Sequence, residues 1–320
     1  MKIGFIGLGN VGGKLAGSLL RNGFDLTVRD LDEAAARPFL EGGATWAESP
    51  KAMAEAVEMV VTCLPNPAAS AAVMEAEDGI LAGLGPDQVW LEMSTTDEAE
   101  VKRLGAKVEA LGAIAMDTPV SGGCHRAATG NIAIFAGGER EAFDRVLPLL
   151  TAMGRRVLHT GPLGSASVLK VVTNFLATAN LVSLGEALTV SKMAGMDLGT
   201  AYEAIRISSG NSFVHETESQ VILNGSYDIS FTMDLVLKDI GLFQAAADRN
   251  GVDLDLSPLL IRIFEDGAKR YGPRAWSSMI VKRLEDACGI ELRAPGFPAE
   301  LVDDESEEPG YEVRPRQATV

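Results

Sequence analysis

Short apolar runs rich in β-branched residues alternate with amphipathic stretches through the first 160 residues. The apolar runs lie at Lys2–Ile6, Asp25–Asp30, Met59–Leu64, Val89–Glu92, Ile114–Pro119, Ile132–Ala136 and Arg156–Thr160. Between most of them apolar positions recur at helical spacing, as in Val11–Arg21 and Ala99–Leu111. Strands alternating with helices predict a parallel, doubly wound α/β sheet covered by helices on both faces. The run from Met59 to Leu64 is apolar almost without alternation, the pattern of a strand buried on both sides. After Gly164 strand candidates nearly vanish. Helical patterns follow, broken near Gly195, Gly210, Gly225, Gly251 and Gly272–Pro273. Three regions are expected: a nucleotide-type α/β domain over 1–163, an all-helical domain over 164–294 that opens with a long interdomain helix, and a tail over 295–320.

The tail carries Pro295, Pro298, Pro309 and Pro315 and an acidic run from Asp303 to Glu308. Such composition predicts a mobile or surface-draped segment rather than a domain, with packing at a subunit interface as the alternative. From Gly296 to Val320, seven acidic and two basic residues contribute −5 to a net charge of −16. A chain this acidic repels phosphate backbones and anionic headgroups, which argues against nucleic-acid or membrane-surface partners. Cys63, Cys124 and Cys288 fit no metal box and cannot all pair, so reduced thiols in a cytoplasmic protein are expected. No two of His125, His159 and His215 stand at ligand spacing, and no metal site is expected. The longest apolar stretch, near Phe175–Val190, is interrupted by Asn180, Ser183, Gly185 and Glu186. It reads as a buried helix rather than a membrane span of about 20 residues.

Gly7, Gly9 and Gly12 spell G-x-G-x-x-G directly after the first strand and at the opening of a helix. In a Rossmann-type domain the first glycine permits the tight turn, and the second lets backbone approach a pyrophosphate. The third lets helix and strand pack, and free amides at the helix start face the anion. Asp30, at the end of the second strand, stands where an acid meets the ribose hydroxyls. A carboxylate there accepts from a 2′-hydroxyl and repels a 2′-phosphate, and Leu31 offers no basic group. NAD is therefore expected, with NADP as the alternative that Arg29 keeps open.

Three further segments carry chemistry. Ser121, Gly122 and Gly123 end a strand and offer a hydroxyl with unhindered amides, a cradle for a carboxylate. Lys170 and Asn174 follow a glycine turn at i and i+4 on a predicted helix, so they share one face. Among Val168, Leu169, Val171 and Val172 the lysine would lose hydration, which favours the neutral amine that accepts a proton. Lys238, on a predicted helix over 231–239, could cover a bound cofactor.

These segments together resemble the β-hydroxyacid dehydrogenase family from residue 1 to about 285. The resemblance is carried by GFIGLGNVG at the start, Leu64–Pro65, STTD at Ser94–Asp97, DTPVSGG with Ala127 and Gly130 after it, a GxxGxxxxxK pattern at 161–170 and KDIGL at 238–242. It implies an N-terminal Rossmann-type domain, an all-α C-terminal domain and reversible hydride transfer between NAD and a small 3-hydroxy acid. By that resemblance Lys170 is the catalytic general acid/base and Asn174 orients the substrate beside it. Ser121, Gly122 and Gly123 hold the substrate carboxylate. Gly7, Leu8, Gly9, Asn10, Val11, Gly12, Asp30, Leu64, Pro65, Thr95 and Lys238 surround the dinucleotide. A homodimer or homotetramer is expected from the resemblance and from helices apolar on more than one face.

Departures from the family pattern concern the substrate more than the reaction. Ala166 stands where glycine is common and Thr173 where a second asparagine is. Ala69 replaces a cofactor-contacting asparagine, Cys124-His125-Arg126 replace smaller residues, and the tail from about 296 has no counterpart. Arg126 either addresses a second anionic group on the substrate or pairs with an acid at the surface. The alternatives to a 3-hydroxyisobutyrate-like substrate are a succinic, tartronic or sulfonated semialdehyde, or a non-catalytic cofactor-binding protein on the same fold.

Overall fold

The computed structural model is described for residues 1–315. Strand and helix alternate through β1 (Lys2–Ile6), α1 (Gly12–Arg21), β2 (Asp25–Arg29), α2 (Glu33–Glu41), β3 (Thr45–Trp46), α3 (Pro50–Ala56), β4 (Met59–Thr62), α4 (Pro67–Glu75), β5 (Val89–Glu92), α5 (Glu98–Glu109) and β6 (Ile114–Asp117). Then come β7 (Val120–Ser121), α6 (Gly123–Thr129), β8 (Ala133–Gly137), α7 (Arg140–Met153) and β9 (Arg156–Gly161). The helical region holds α8 (Ser165–Met193), α9 (Leu198–Arg206), α10 (Phe213–Asn224), α11 (Met233–Arg249), α12 (Leu256–Tyr271) and α13 (Lys282–Cys288). The tail contributes β10 (Tyr311–Val313).

The strands lie in one sheet in the order β10-β9-β8-β6-β5-β4-β1-β2-β3, with β7 beside β8. The order reverses at β1, which sits between β4 and β2, and the glycine loop leaves the sheet at that switch point. Successive strand residues feed opposite layers. Ile3, Phe5, Met59, Val61, Val89 and Leu91 pack with Leu15, Leu19, Phe143 and Leu150. Ile6, Val60 and Trp90 pack with Met53, Met74, Val101 and Leu104 on the other face. Burying each such side chain is worth about 1.5–3 kcal/mol.

The sheet is mixed rather than wholly parallel. Strands β1 to β6 pair in parallel, but β8 runs antiparallel to β6 and β7, and β9 then follows β8 in parallel. The segment between β6 and β8 holds only β7 and the two-turn α6, which turn the chain back instead of crossing a sheet face. The two-residue strands β3 and β7 have no apolar run of their own and exist through their partners.

The compact units are Met1–Lys170 with the chain from Asp303 on, and Val171–Val302. Within the tail, the chain from Asp303 on belongs to the first unit, and β10 joins that unit's sheet. β10 pairs in parallel with β9, and Tyr311 N donates to Arg155 O at 2.9 Å. The second unit has its own core of Leu181, Leu188, Ile222, Met233, Ile240 and Phe264. Helix α8 is long and apolar enough to cross a membrane by length and composition, with 33% of its most apolar window buried. The buried helix expected there is buried only in part: Leu176, Val190 and Met193 are 54%, 68% and 60% exposed.

Candidate active site

The glycine loop is built from backbone contacts. Gly7 has φ +98, and a Cβ there would fall 2.2 Å from Cys63 O. A Cβ on Gly12 would fall 2.0 Å from Gly7 O, whereas one on Gly9 would meet nothing within 4 Å. Two glycines close the turn, and the third leaves room for an approaching group. No side chain caps α1 at Val11, and Gly13 N and Lys14 N donate to Gly9 O and Val11 O at 2.9 and 3.0 Å, so an anion would be met by the amides that precede them at the helix start. Leu8, Asn10 and Val11 form the rest of this loop. These features fit a dinucleotide pyrophosphate.

Asp30 joins the loop to the end of β2: Leu8 N donates to its Oδ2 at 2.6 Å and Asp32 N to its Oδ1 at 2.9 Å. Arg29 is committed elsewhere. Its Nη1 donates to Ala47 O and Glu48 O at 2.8 and 2.7 Å, and its guanidinium lies over Trp46, 5.5 Å from the ring centre. Leu31 is 99% exposed.

A buried carboxyl organises the next two turns. Glu92 Oε1 accepts from Ser94 N at 2.9 Å, and Ser94 Oγ accepts from Leu64 N at 2.7 Å. Burial pushes the Glu92 carboxyl upward, against the hydrogen bonds that lower it. Leu64 and Pro65 after β4 are thereby tied to the turn after β5 that carries Thr95.

Asp117, at the end of β6, performs the equivalent task for the helix carrying Lys170. Its Oδ1 accepts from Gly164 N at 2.8 Å; its Oδ2 accepts from Ser167 N and Ser167 Oγ at 2.7 and 2.8 Å. Burial raises this carboxyl, while the three donors favour its charged form. The first turn of α8 is fixed from the strand that also leads to Ser121, Gly122 and Gly123. Gly122 and Gly123 have φ +133 and +88, so the loop needs glycine at both. Lys170 stands one turn beyond Ser167 and is 8% exposed.

Asn174 follows one turn further along α8. Within the second unit its Nδ2 donates to Asp239 Oδ2, and Lys238 Nζ stands 2.7 Å from Asp239 Oδ1. Asp239 is 2% exposed. Phe175 stacks on Phe243 with centroids 4.2 Å apart, which sets α8 against α11 at this level. A buried carboxylate thus orients the asparagine amide and neutralises the lysine. A buried amine with a fixed amide on the next turn is suited to exchanging a proton with a small polar molecule.

Arg126, on α6, faces acids of its own chain. Its Nε is 3.9 Å from Asp303 Oδ1 and its Nη2 3.6 Å from Glu305 Oε2. Of the two roles open to it from sequence, pairing is the one the side chain adopts. Burial lowers the neighbouring His125, with the charge of Asp303 opposing.

Asp117, Glu92, Ser94, Asp239 and Asp303 do not stand out in the sequence as individual site residues. The first four lie inside or beside quoted motifs, and a polar residue at the end of an apolar strand or beside Lys238 was the signal. Asp303 had no such signal, because its partners lie more than 170 positions away.

Comparison with known proteins agrees with this geometry. Residues 2–161 match the family model for the NAD-binding domain of 6-phosphogluconate dehydrogenase. Residues 164–284 match that for the NAD-binding domain of NADP-dependent 3-hydroxyisobutyrate dehydrogenase. The chain is 31% identical over 293 residues to 2-(hydroxymethyl)glutarate dehydrogenase of Eubacterium barkeri, covering 91% of this chain and 97% of that one. It is 31% identical over 285 residues to the mitochondrial 3-hydroxyisobutyrate dehydrogenase of Rattus norvegicus, covering 87% and 85%. A solved 3-hydroxyisobutyrate dehydrogenase from Salmonella typhimurium superimposes with a TM-score of 0.80 at 28% identity, covering 88% of this chain and 99% of that one.

Proposed function

The chain belongs to the β-hydroxyacid dehydrogenase family, and from that premise we propose that it oxidises the alcohol of a small 3-hydroxy monocarboxylate of the 3-hydroxyisobutyrate type, with NAD as acceptor. The nicotinamide cofactor supplies the hydride-accepting carbon. As the hydride leaves the alcohol carbon, the neutral amine of Lys170 takes the hydroxyl proton; in reduction its ammonium returns it. Ser121 Oγ and the amides of Gly122 and Gly123 hold the carboxylate. Asn174, held by Asp239, orients the hydroxyl beside Lys170, and this positioning supplies much of the rate. Leu64, Pro65 and Thr95 line the dinucleotide, and the family resemblance adds Lys238 to that set. The observation that carries the reading is the buried Lys170 on a helix anchored by Asp117, one turn from an asparagine held by a buried carboxylate.

Two features refine it. Arg29 spends its hydrogen bonds on Ala47 and Glu48, which supports NAD over NADP at Asp30. Arg126 spends its charge on Asp303 and Glu305, which supports a monocarboxylate over a dianion such as 2-(hydroxymethyl)glutarate. The test follows NADH formation with 3-hydroxyisobutyrate, 2-(hydroxymethyl)glutarate and a sulfonated analogue. The monocarboxylate is expected to have the highest kcat/KM, and a preference of about tenfold or more for a dianion contradicts that choice.

The exposed apolar side chains of α8 support a homodimer or homotetramer formed through that helix. A sedimentation mass near that of one 33.8 kDa chain at micromolar concentration contradicts it. The acidic, cysteine-poor composition supports a cytoplasmic enzyme with a small-molecule partner rather than a nucleic acid or a membrane.

A further inference from the structure

The tail is acidic and the surface beneath it is basic. Arg140 pairs with Glu312, Arg155 with Glu308, Arg156 with Glu305, and Arg126 with both Glu305 and Asp303. Most of these pairs are solvent-facing, and pairs of that kind contribute little one by one.

Asp303 differs from the others. Its side chain is 3% exposed. Its Oδ2 accepts from Thr129 Oγ1 and Asn131 Nδ2, and its Oδ1 from Glu305 N at 3.2 Å. Burial raises this carboxyl, but the hydrogen bonds from Thr129 and Asn131 outweigh it and leave it lowered, hence charged at neutral pH.

Thr129 is the last residue of α6, and Asn131 follows one glycine later. α6 is two turns long, begins at Gly123 in the SGG loop, and is bounded by positive-φ glycines at 122, 123 and 130. So short a helix between glycine turns has little intrinsic stability, and its anchors decide where it sits. Ala127 packs into the core shared with Leu15 and Leu19 of α1, and the polar anchors are Arg21, whose Nη2 donates to Ala128 O at 2.9 Å, and Asp303.

We infer that Asp303 is a positioning residue that acts from the C-terminal tail, through α6, on the substrate loop Ser121–Gly123. The inference rests on the proposed carboxylate-binding role of that loop. Both family models end by residue 284, so this anchor lies outside the matched family region.

The test uses the full chain with Asp303→Ala, Asp303→Asn and Thr129→Val. Two quantities are read: amide hydrogen exchange over 121–131, and steady-state constants with NAD and 3-hydroxyisobutyrate. In Asp303→Ala, exchange over 121–131 should rise about tenfold while exchange over 2–30 and the affinity for NADH stay unchanged. KM for the hydroxy acid should rise about five- to tenfold, with kcat and KM for NAD within about twofold of wild type. Asp303→Asn keeps an acceptor for Thr129 and Asn131 and should recover most of both losses. Thr129→Val removes one donor and should give a partial loss even if Asp303→Ala fails to fold. Unchanged exchange over 121–131 overturns the inference. So does a loss that reaches the dinucleotide region and all kinetic constants alike. Should wild type fail to turn over 3-hydroxyisobutyrate, that result bears on the substrate, and the exchange measurements still decide the role of Asp303.

Discussion

The dinucleotide loop and the substrate-side groups are assembled in opposite ways. Between Ile6 and Asp30 the geometry is almost wholly backbone. Two glycines fit because any side chain would strike a carbonyl, and one carboxylate closes the arrangement over 22 residues. The groups assigned to the substrate, side chains and the amides of Gly122 and Gly123 alike, sit on segments whose supports come from far along the chain. Asp117 reaches Gly164 and Ser167, Asn174 reaches Asp239, and Thr129 reaches Asp303. Backbone sterics make the first region depend on its glycines and on the one carboxylate of Asp30. The second depends on single buried carboxylates, each with its own set of donors.

That contrast can be broken most severely at Gly12. Gly12→Ala forces a Cβ against Gly7 O, so it should lower the unfolding temperature and weaken NADH binding by roughly a hundredfold. Gly9→Ala has open space, so it should weaken NADH without lowering the unfolding temperature. Fluorescence titration and thermal unfolding of both variants decide, and a stability loss at Gly9 contradicts an open cradle.

Cofactor choice comes next. Wild type should favour NAD over NADP by about thirtyfold in kcat/KM, the worth of hydrogen bonds to a charged group, and Asp30→Ser should narrow that ratio. A wild-type preference for NADP removes the role given to Asp30.

On the substrate side, Asp239→Asn should lower kcat about tenfold and leave NADH affinity unchanged, because the amide no longer neutralises Lys238 or fixes Asn174 as before. It should also displace a limb of the kcat pH profile, which a purely structural change leaves in place.

The smallest effect concerns Glu92. Its carboxyl lies above the ordinary value of 4.5 in the folded chain, so the unfolded chain ionises first as pH rises. The stability contribution is full below that value and is lost as pH climbs toward the folded one. Glu92→Gln cannot ionise, so it should be more stable than wild type at neutral pH and equal to it near pH 4. Urea unfolding at the two pH values checks this; a difference independent of pH contradicts a buried acid.

Legibility in the sequence followed the same divide. Apolar runs and glycine spacing are local, so β1, β5, the loop and the long helix were readable to within a residue or two. Lys170 and Asn174 were readable as a pair because helical spacing is local too. The antiparallel turn at β8 and the short strands β3 and β7 were not, since pairing rather than propensity creates them. Composition alone does not show the arginines that meet the tail's acids or the strand edge that β10 completes. Asp117 and Asp239 could be seen but not ranked, because their partners become neighbours only in the folded chain.

We propose Lys170 as the proton-exchanging group of this hydroxyacid dehydrogenase. The most direct test compares Lys170→Ala with wild type for kcat on 3-hydroxyisobutyrate and for NADH affinity in the same preparation. The expected result is a fall in kcat of about a hundred- to ten-thousandfold with NADH affinity unchanged, and retention of more than about a tenth of wild-type turnover contradicts it.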